Sequence, residues 1–376
     1  MSYVITSGGT AGHINPALAV ATELELLGKE VIFAGSTHGM EERLACQAGL
    51  GYRAFEARGF NRQRPWTLIS SSMVLARSTR TARGWLSEIK AEAVAAFGGY
   101  VSVPVGRAAV REGLPLLIHE QNSHMGWSNK HLSRHATAIA LSYDNVIDAL
   151  PEKARERVHV TGNPVRSEFS VLANPEEANQ LRMNLRQKLG FTSNSLVVLI
   201  FGGSQGARHI NQALVELAPE LLRRPELCVL HLTGQKEYAS VQAALAQKLS
   251  SADIHRWQTL AYCDEMPAAF GAADIVVSRA GASSLAELAV AAKPALLVPF
   301  PYATANHQHK NAQSLVEAGA AKMIIDSELK SPRFLETLTA LIDDESLRQN
   351  MLKAAKSLTQ ANAAKHVAQL LIDIAE

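Results

Sequence analysis

The sequence predicts an α/β protein made of two similar, doubly wound domains, each built on a parallel sheet. Two observations carry this. Short, continuous apolar runs alternate with longer amphipathic stretches along the whole chain. A strand without polar alternation is buried on both faces, as in a parallel sheet covered by helices. The second observation is an internal echo. Ser7-Gly8-Gly9-Thr10-Ala11-Gly12-His13-Ile14-Asn15-Pro16-Ala17-Leu18 resembles Phe201-Gly202-Gly203-Ser204-Gln205-Gly206-Ala207-Arg208-His209-Ile210-Asn211-Gln212-Ala213-Leu214. The glycine pairs are offset by 194 positions and the His-Ile-Asn-x-Ala-Leu runs by 196, so two residues are inserted between them. Each copy follows an apolar strand and opens a helix, which fits a repeated domain. A length of 376 residues suits two domains, each able to bury its own core.

In chain order, residues 31–35, 92–97 and 116–119 read as strands of the first domain, and 18–27 as a helix. Residues 161–166 (Thr-Gly-Asn-Pro-Val-Arg) are turn-rich and a polar helical stretch, 175–189, follows, so the linker is expected near 163–170. Residues 196–201, 228–232, 275–278 and 295–299 are strands of the second domain, with helices at 214–222 and 285–292. The end of the chain, 347–376, reads as two helices with no strand after them.

Composition narrows the function. Hydrophobic residues make up 47% and charged residues 19%, which excludes a wholly disordered chain. Three scattered cysteines (Cys46, Cys228, Cys263) exclude a disulfide framework and fit a reducing cytosol. No signal peptide and no apolar run of spanning length is read. The net charge of +2 does not imply nucleic acid, but it is unevenly spread. Between Arg53 and Arg83 seven arginines face one glutamate, a local +6, which leaves −4 for the rest. Trp66, Leu68, Ile69, Met73, Val74, Leu75 and Trp85 are interleaved there. Cationic heads beside apolar side chains suit an anionic membrane surface; the alternative is an ordinary surface helix with core-facing apolar residues.

Several motifs carry chemistry. A glycine-rich turn from strand into helix exposes backbone N–H groups at the positive end of the helix dipole, a site for phosphate. Gly8-Gly9-x-x-Gly12 and Gly202-Gly203-x-x-Gly206 do this twice, with neither the G-x-G-x-x-G spacing nor the Gly-Lys-Ser/Thr of a P-loop. One such turn is as readily structural as functional; two copies favour a ligand. A third turn, Arg279-Ala280-Gly281, precedes a helix carrying Glu287, whose carboxylate can accept both hydroxyls of a ribose. The alternative there is a capping box of Ser284 with Glu287. His119-Glu120-Gln121-Asn122 ends a strand, on the side where open α/β sheets bind ligands; the alternative is a hydrogen-bonded loop. His13 is a candidate general base, the alternative being a helix N-terminal histidine satisfied by backbone. His307 and His309 are at i, i+2 and diverge on a helix, so no metal is assigned. The absence of any Asp-x-Asp triplet argues against a pyrophosphate held through a divalent ion.

Gly8-Gly9-Thr10-Ala11-Gly12-His13, Phe97-Gly98-Gly99-Tyr100-Val101-Ser102, His119-Glu120-Gln121-Asn122, Gly162-Asn163-Pro164-Val165-Arg166, Gly202-Gly203-Ser204-Gln205-Gly206-Ala207 and Arg279-Ala280-Gly281-Ala282-Ser283-Ser284-Leu285-Ala286-Glu287 occur in this order. Together they resemble the MurG family of UDP-N-acetylglucosamine–N-acetylmuramyl-(pentapeptide) pyrophosphoryl-undecaprenol N-acetylglucosaminyltransferases. The resemblance spans essentially the whole chain. It implies a GT-B fold, with two Rossmann-like domains facing a cleft. It also implies inverting, metal-independent and cofactor-free transfer of GlcNAc from UDP-GlcNAc to the C4 hydroxyl of the muramyl sugar of lipid I. The products would be lipid II and UDP, at the cytoplasmic face of the inner membrane, with other proteins of cell-wall synthesis as partners. Residues 1–163, joined by the C-terminal helix at about 355–376, would form the acceptor and membrane-docking domain. Residues 164–354 would hold the donor. The membrane contact falls to the segment from Arg58 to Trp85.

Carried over by position, Thr10, Ala11, Gly12 and Asn122 would line the donor site from the first domain. Arg166 and Ser204 would approach the diphosphate, and the backbone at Cys263 would read the uracil. Ala282, Ser283, Ser284, Leu285, Ala286 and Glu287 would form the diphosphate and ribose pocket, and Gln308 would hold sugar hydroxyls. His13 is the candidate base and Glu120 its rival. Ala11 stands where a glycine is usual, Val103-Pro104-Val105-Gly106 departs from the usual continuation, and His307 replaces a common Gln. The rivals are another GT-B enzyme, such as a lipid glycosyltransferase with a different acceptor or a UDP-GlcNAc 2-epimerase; a nicotinamide-dependent dehydrogenase; and a non-catalytic membrane-surface scaffold.

Overall fold

The computed structural model describes residues 2–57, 67–202, 207–303, 306–358, 360 and 362–376. The chain divides into two compact units, residues 1–167 with 360–376 and residues 168–359.

Unit 1 holds seven parallel strands: β1 (Ser2–Thr6), β2 (Glu30–Ser36), β3 (Gly51–Phe55), β4 (Ala91–Ala96), β5 (Leu116–Glu120), β6 (Ala138–Leu141) and β7 (Val158–Val160). Their order is β3-β2-β1-β4-β5-β6-β7. Every residue of β1, β5 and β6 is buried, as expected of strands covered on both faces. Successive side chains take opposite faces. Tyr3 and Ile5 meet helices Ala11–Leu26 and Ala363–Asp373 through Val20, Leu24, Val367 and Leu371. Val4 meets helices Thr67–Glu88 and Ser102–Glu112 through Ala82, Leu86, Val105 and Ala109. The last helix of the chain thus completes the core of the first unit. Full burial of each large side chain, such as Leu371, contributes about 1.5–3 kcal/mol.

The basic helix needs a correction. Trp85 is 8% exposed and its ring lies 5.4 Å from that of Phe55, so it is a core residue and not a lipid-facing one. It shares a helix face with Ala82 and Leu86, while Arg77, Arg80 and Arg83 take the exposed face with Met73. Arg58, Arg62, Arg64 and Trp66 lie outside the described residues. Among the described residues no helix is long and apolar enough to cross a membrane.

Unit 2 repeats the winding with six parallel strands: β8 (Leu196–Phe201), β9 (Leu227–Leu232), β10 (Trp257–Leu260), β11 (Ile275–Ser278), β12 (Ala295–Leu297) and β13 (Ala321–Met323). Their order is β10-β9-β8-β11-β12-β13. Ile210 and Leu214 of helix Arg208–Leu221 share a core with Val198, Ile200, Leu296 and with Phe334 and Leu338 of helix Pro332–Asp343. Helix Pro175–Lys188 is polar, yet its Arg186 is 1% exposed. The guanidinium donates to the carbonyls of Ala272 (2.8 and 3.0 Å), Ser193 (3.0 Å) and Ser195 (2.8 Å) and to Asp274 Oδ2 (2.6 Å). Burial pushes the Asp274 carboxyl up, but the Val197 N–H with Arg186 and Arg182 outweighs it, and the group stays below the ordinary range. A buried cation with this many partners is fully satisfied, and it bolts the helix to the strand starts.

Candidate active site

Each sheet reverses its winding beside its first strand, between β1 and β4 in unit 1 and between β8 and β11 in unit 2. Loops leaving the C-terminal ends of those strands mark the switch point, where open α/β sheets bind ligands. Both glycine-rich echoes fall there. In unit 1 the turn after β1 has Gly9 at φ +94°, and Thr10, extended at φ −134°, precedes helix Ala11–Leu26. Ala11, Gly12 and His13 form the first helical turn and are half-buried. The loop after β4 presses against them. Gly8 N donates to Gly98 O (3.2 Å), and Gly98 and Gly99 sit at φ +95° and +84°. A Cβ on Gly99 would lie 2.3 Å from Gly8 O, and one on Gly98 3.1 Å from His13 Nδ1. Only glycine permits this approach.

Glu41, fully buried, supports the same turn from the side. Its Oε1 accepts from Gly9 N (2.9 Å) and Ser36 Oγ (3.2 Å), and a Cβ on Gly8 would lie 2.6 Å from it. Nothing local in the sequence marks Glu41, because its role rests on a partner 32 residues away.

The four polar residues that end β5 form an interior network. His119, Glu120 and Gln121 are each no more than 1% exposed. Glu120 Oε1 accepts from the backbone N–H (3.1 Å) and Nδ2 (3.2 Å) of Asn122; its Oε2 accepts from Gly126 N (2.9 Å) and Asn129 Nδ2 (2.9 Å). With both oxygens engaged, Glu120 braces the 122–129 loop. His119 and Gln121, two apart, turn the other way. Gln121 meets His13 Nδ1 at 2.8 Å. His119 stacks on Phe97 with ring centroids 5.3 Å apart, and burial together with the nearby His13 holds its imidazole at about 4, so it is neutral at working pH. Arg166, partly buried, follows β7 in this unit.

In unit 2 residues 203–206, Ser204 among them, lie outside the described residues. The turn after β11 is well defined. Gly281 is the N-cap of helix Ala282–Ala291, with no side-chain cap. Ser284 therefore sits inside the helix and the capping box does not form. Glu287 faces inward, 7% exposed. Arg279, also 7% exposed, donates to Val298 O (3.1 Å) and Pro299 O (3.2 Å) and stacks over Phe300 at 5.6 Å. Its Nη1 lies 2.6 Å from Asp326 Oδ1, a charge contact rather than an aligned hydrogen bond. Phe300 N in turn donates to Gln308 Oε1 (2.9 Å), and Asn311 Nδ2 to Ala280 O (3.4 Å). These bonds fasten helix His307–Glu317 to the β11 turn, so Gln308 and the 282–287 segment belong to one neighbourhood. Cys263 follows β10; burial pushes its thiol up, which leaves it a poor nucleophile. Among the described residues no cluster of His, Cys, Asp or Glu is arranged to hold a metal.

Two sheets of this winding fit a two-domain nucleotide-sugar fold, and the family matches define the class as a glycosyltransferase. Residues 3–141 match the glycosyltransferase family 28 N-terminal domain and residues 197–370 its C-terminal domain. The UDP-N-acetylglucosamine--N-acetylmuramyl-(pentapeptide) pyrophosphoryl-undecaprenol N-acetylglucosamine transferase of Halothermothrix orenii is 37% identical over 377 residues, covering 100% of both chains. This chain belongs to that family of transferases. A crystal structure of MurG from Acinetobacter baumannii is 29% identical, with a TM-score of 0.76 over 99% of this chain and 100% of that one. A UDP-GlcNAc 2-epimerase from Neisseria meningitidis, 16% identical with a TM-score of 0.67 over 99% of this chain and 100% of that one, shares the fold alone. The GT-B expectation is borne out, and the dehydrogenase and scaffold readings fall away.

Proposed function

We propose that this protein transfers GlcNAc from UDP-GlcNAc to the C4 hydroxyl of the muramyl sugar of lipid I, with inversion, releasing UDP and forming lipid II. The observation that carries the reading is the end-to-end relationship to transferases of that name. In this reading unit 2 holds the donor. The amides of the glycine-rich segment that follows β8 in sequence and of the β11 turn, with Ser204 and Arg166, meet the diphosphate; the Cys263 backbone meets uracil; Glu287 takes the ribose hydroxyls and Gln308 the sugar. Thr10, Ala11, Gly12 and Asn122 complete the donor site from unit 1. As the acceptor oxygen bonds to the anomeric carbon and the bond from that carbon to the diphosphate oxygen breaks, His13 takes the hydroxyl proton. UDP leaves with the electron pair, and helix N-termini and Arg166 stabilise its charge. Glu120, with both oxygens already accepting, acts as the brace of the loop and His13 as the base. Docking on an anionic membrane falls to the exposed arginines of helix Thr67–Glu88 together with the segment before it.

The test is UDP release from UDP-GlcNAc in EDTA, with and without a soluble lipid I analogue. Acceptor-dependent release that survives the chelator is the expected result. Donor turnover without acceptor would instead point to an epimerase or a hydrolase, and the reading would fall.

A further inference from the structure

We infer that Gln121 is a positioning residue that fixes His13 in the tautomer with its proton on Nδ1, leaving the lone pair on Nε2. The inference deepens the reading of His13 as the base and rests on it for its catalytic meaning. The orientation of the Gln121 amide follows from its surroundings. One end faces Phe97 O at 3.0 Å and His119 O at 3.3 Å. Both are carbonyl oxygens that only accept, so that end must be the NH2 group; the reversed amide would set oxygen against oxygen twice. The carbonyl end therefore faces His13 Nδ1 at 2.8 Å, and Nδ1 must donate. A neutral imidazole carries one proton, so Nε2 is left as the acceptor.

His119 secures the arrangement. Its Nε2 donates to Gly162 O at 3.0 Å, which leaves Nδ1 as an acceptor facing Gln121 Nε2 at 3.2 Å. A fully buried, neutral His119 cannot reverse this polarity without opposing two donors. The chain of bonds thus runs from the Gly162 carbonyl through His119 and Gln121 to His13, with one direction of donation throughout. The residue behind the base is an uncharged amide rather than a carboxylate. It sets the tautomer without adding a counter-charge.

The decisive measurement is a long-range 1H–15N correlation spectrum of the full-length protein labelled with 15N-histidine, at about pH 8, where an ordinary imidazole is neutral. His13→Ala assigns the resonance. The expected result is a protonated Nδ1 and an unprotonated Nε2 at His13. Gln121→Met, whose thioether is only a weak acceptor, should shift His13 toward the opposite tautomer and lower kcat about tenfold or more with little change in KM. A melting temperature of Gln121→Met close to wild type, measured beside the spectra, separates loss of positioning from loss of folding. A wild-type His13 protonated on Nε2, or a Gln121→Met protein that keeps the Nδ1 proton, overturns the inference whatever the activity does. If the spectra are as expected but His13→Ala turns over at the wild-type rate, the tautomer assignment stands and the base reading fails.

Discussion

The two glycine turns open on the same three residues, His-Ile-Asn, and the two units use them in opposite ways. In unit 1 the histidine faces inward: His13 is half-buried and tied to Gln121, beyond the strand on the far side of the switch point. Asn15 makes no side-chain hydrogen bond among the described residues. In unit 2 the asparagine is the inward residue. Asn211, 1% exposed, donates to Thr233 O (2.9 Å) and its Oδ1 meets His231 Nε2 at 3.0 Å, both at the end of β9. His209 points outward and pairs with Asp326 at 2.5 Å. Only Ile14 and Ile210 do the same work, each fully buried in the core of its own unit. A repeated motif therefore repeats the fold without repeating the chemistry. What differs is which neighbouring strand supplies the polar partner, β5 with its trailing residues in one unit and β9 in the other.

The largest effect expected from this contrast is in turnover. His13→Ala should lower kcat about 10²–10⁴-fold with a melting temperature close to wild type, whereas His209→Ala should change kcat less than about threefold. Equal losses in both variants, measured by UDP release, would break the contrast.

Acid should act on both units together. His119 in unit 1 is held at about 4 and His231 in unit 2 at about 3, both chiefly by burial, against an ordinary value of 6.5. The unfolded chain takes up these protons first. Stability is therefore complete above about pH 6.5, falls progressively below it, and reaches its full loss once pH passes the folded values. The full loss is on the order of 3–5 kcal/mol per histidine, of which about 2–3 kcal/mol each is reached by pH 4.5. Urea titrations at pH 7 and pH 4.5 measure it, and His231→Gln should remove the share belonging to unit 2. A flat profile would mean that neither ring is buried neutral.

Gly99→Ala should cost about 3 kcal/mol or more, from the positive φ and the 2.3 Å approach to Gly8 O, a backbone atom that cannot move aside cheaply. A shift in denaturant midpoint of the wrong sign there would mean that the two loops of unit 1 are not held together. Asn211→Ala should cost about 2–3 kcal/mol, because it strands the Thr233 carbonyl and a His231 ring nitrogen, while Asn15→Ala should cost less than about 0.5 kcal/mol. Denaturant midpoints of the two variants decide the matter.

Much of this fold is legible in the sequence. β8 is a continuous apolar run, and β1, β4, β5, β9 and β11 are broken only by single or terminal polar residues, because they lie inside the sheets; the repeated glycine motif announces the duplication. The outer strands are less visible. In β3 only Phe55 is buried, because the strand sits at a sheet edge, and β7 and β13 have three residues each, too few for a period. The site divides in the same way. Turns and strand ends carry local signals, so His13, Glu120 and Glu287 can be found by eye. The alternation that separates Glu120 from His119 and Gln121 was also available, since i and i+2 share a strand face. Glu41 and Asp326 were not: Glu41 serves a turn 32 residues away, Asp326 contacts a histidine 117 residues away, and no short window contains either pair.

The close approach of Gly99 to Gly8 has a consequence for anyone who maps this protein by saturation mutagenesis. Side chains are refused at Gly8, Gly98 and Gly99 on grounds of volume and backbone angle, before any sugar is bound. Such positions will score as indispensable in a growth selection, alongside residues that touch the substrate. A count of surviving protein beside the growth score separates the two groups: the glycines should lose both, and the chemical residues only growth.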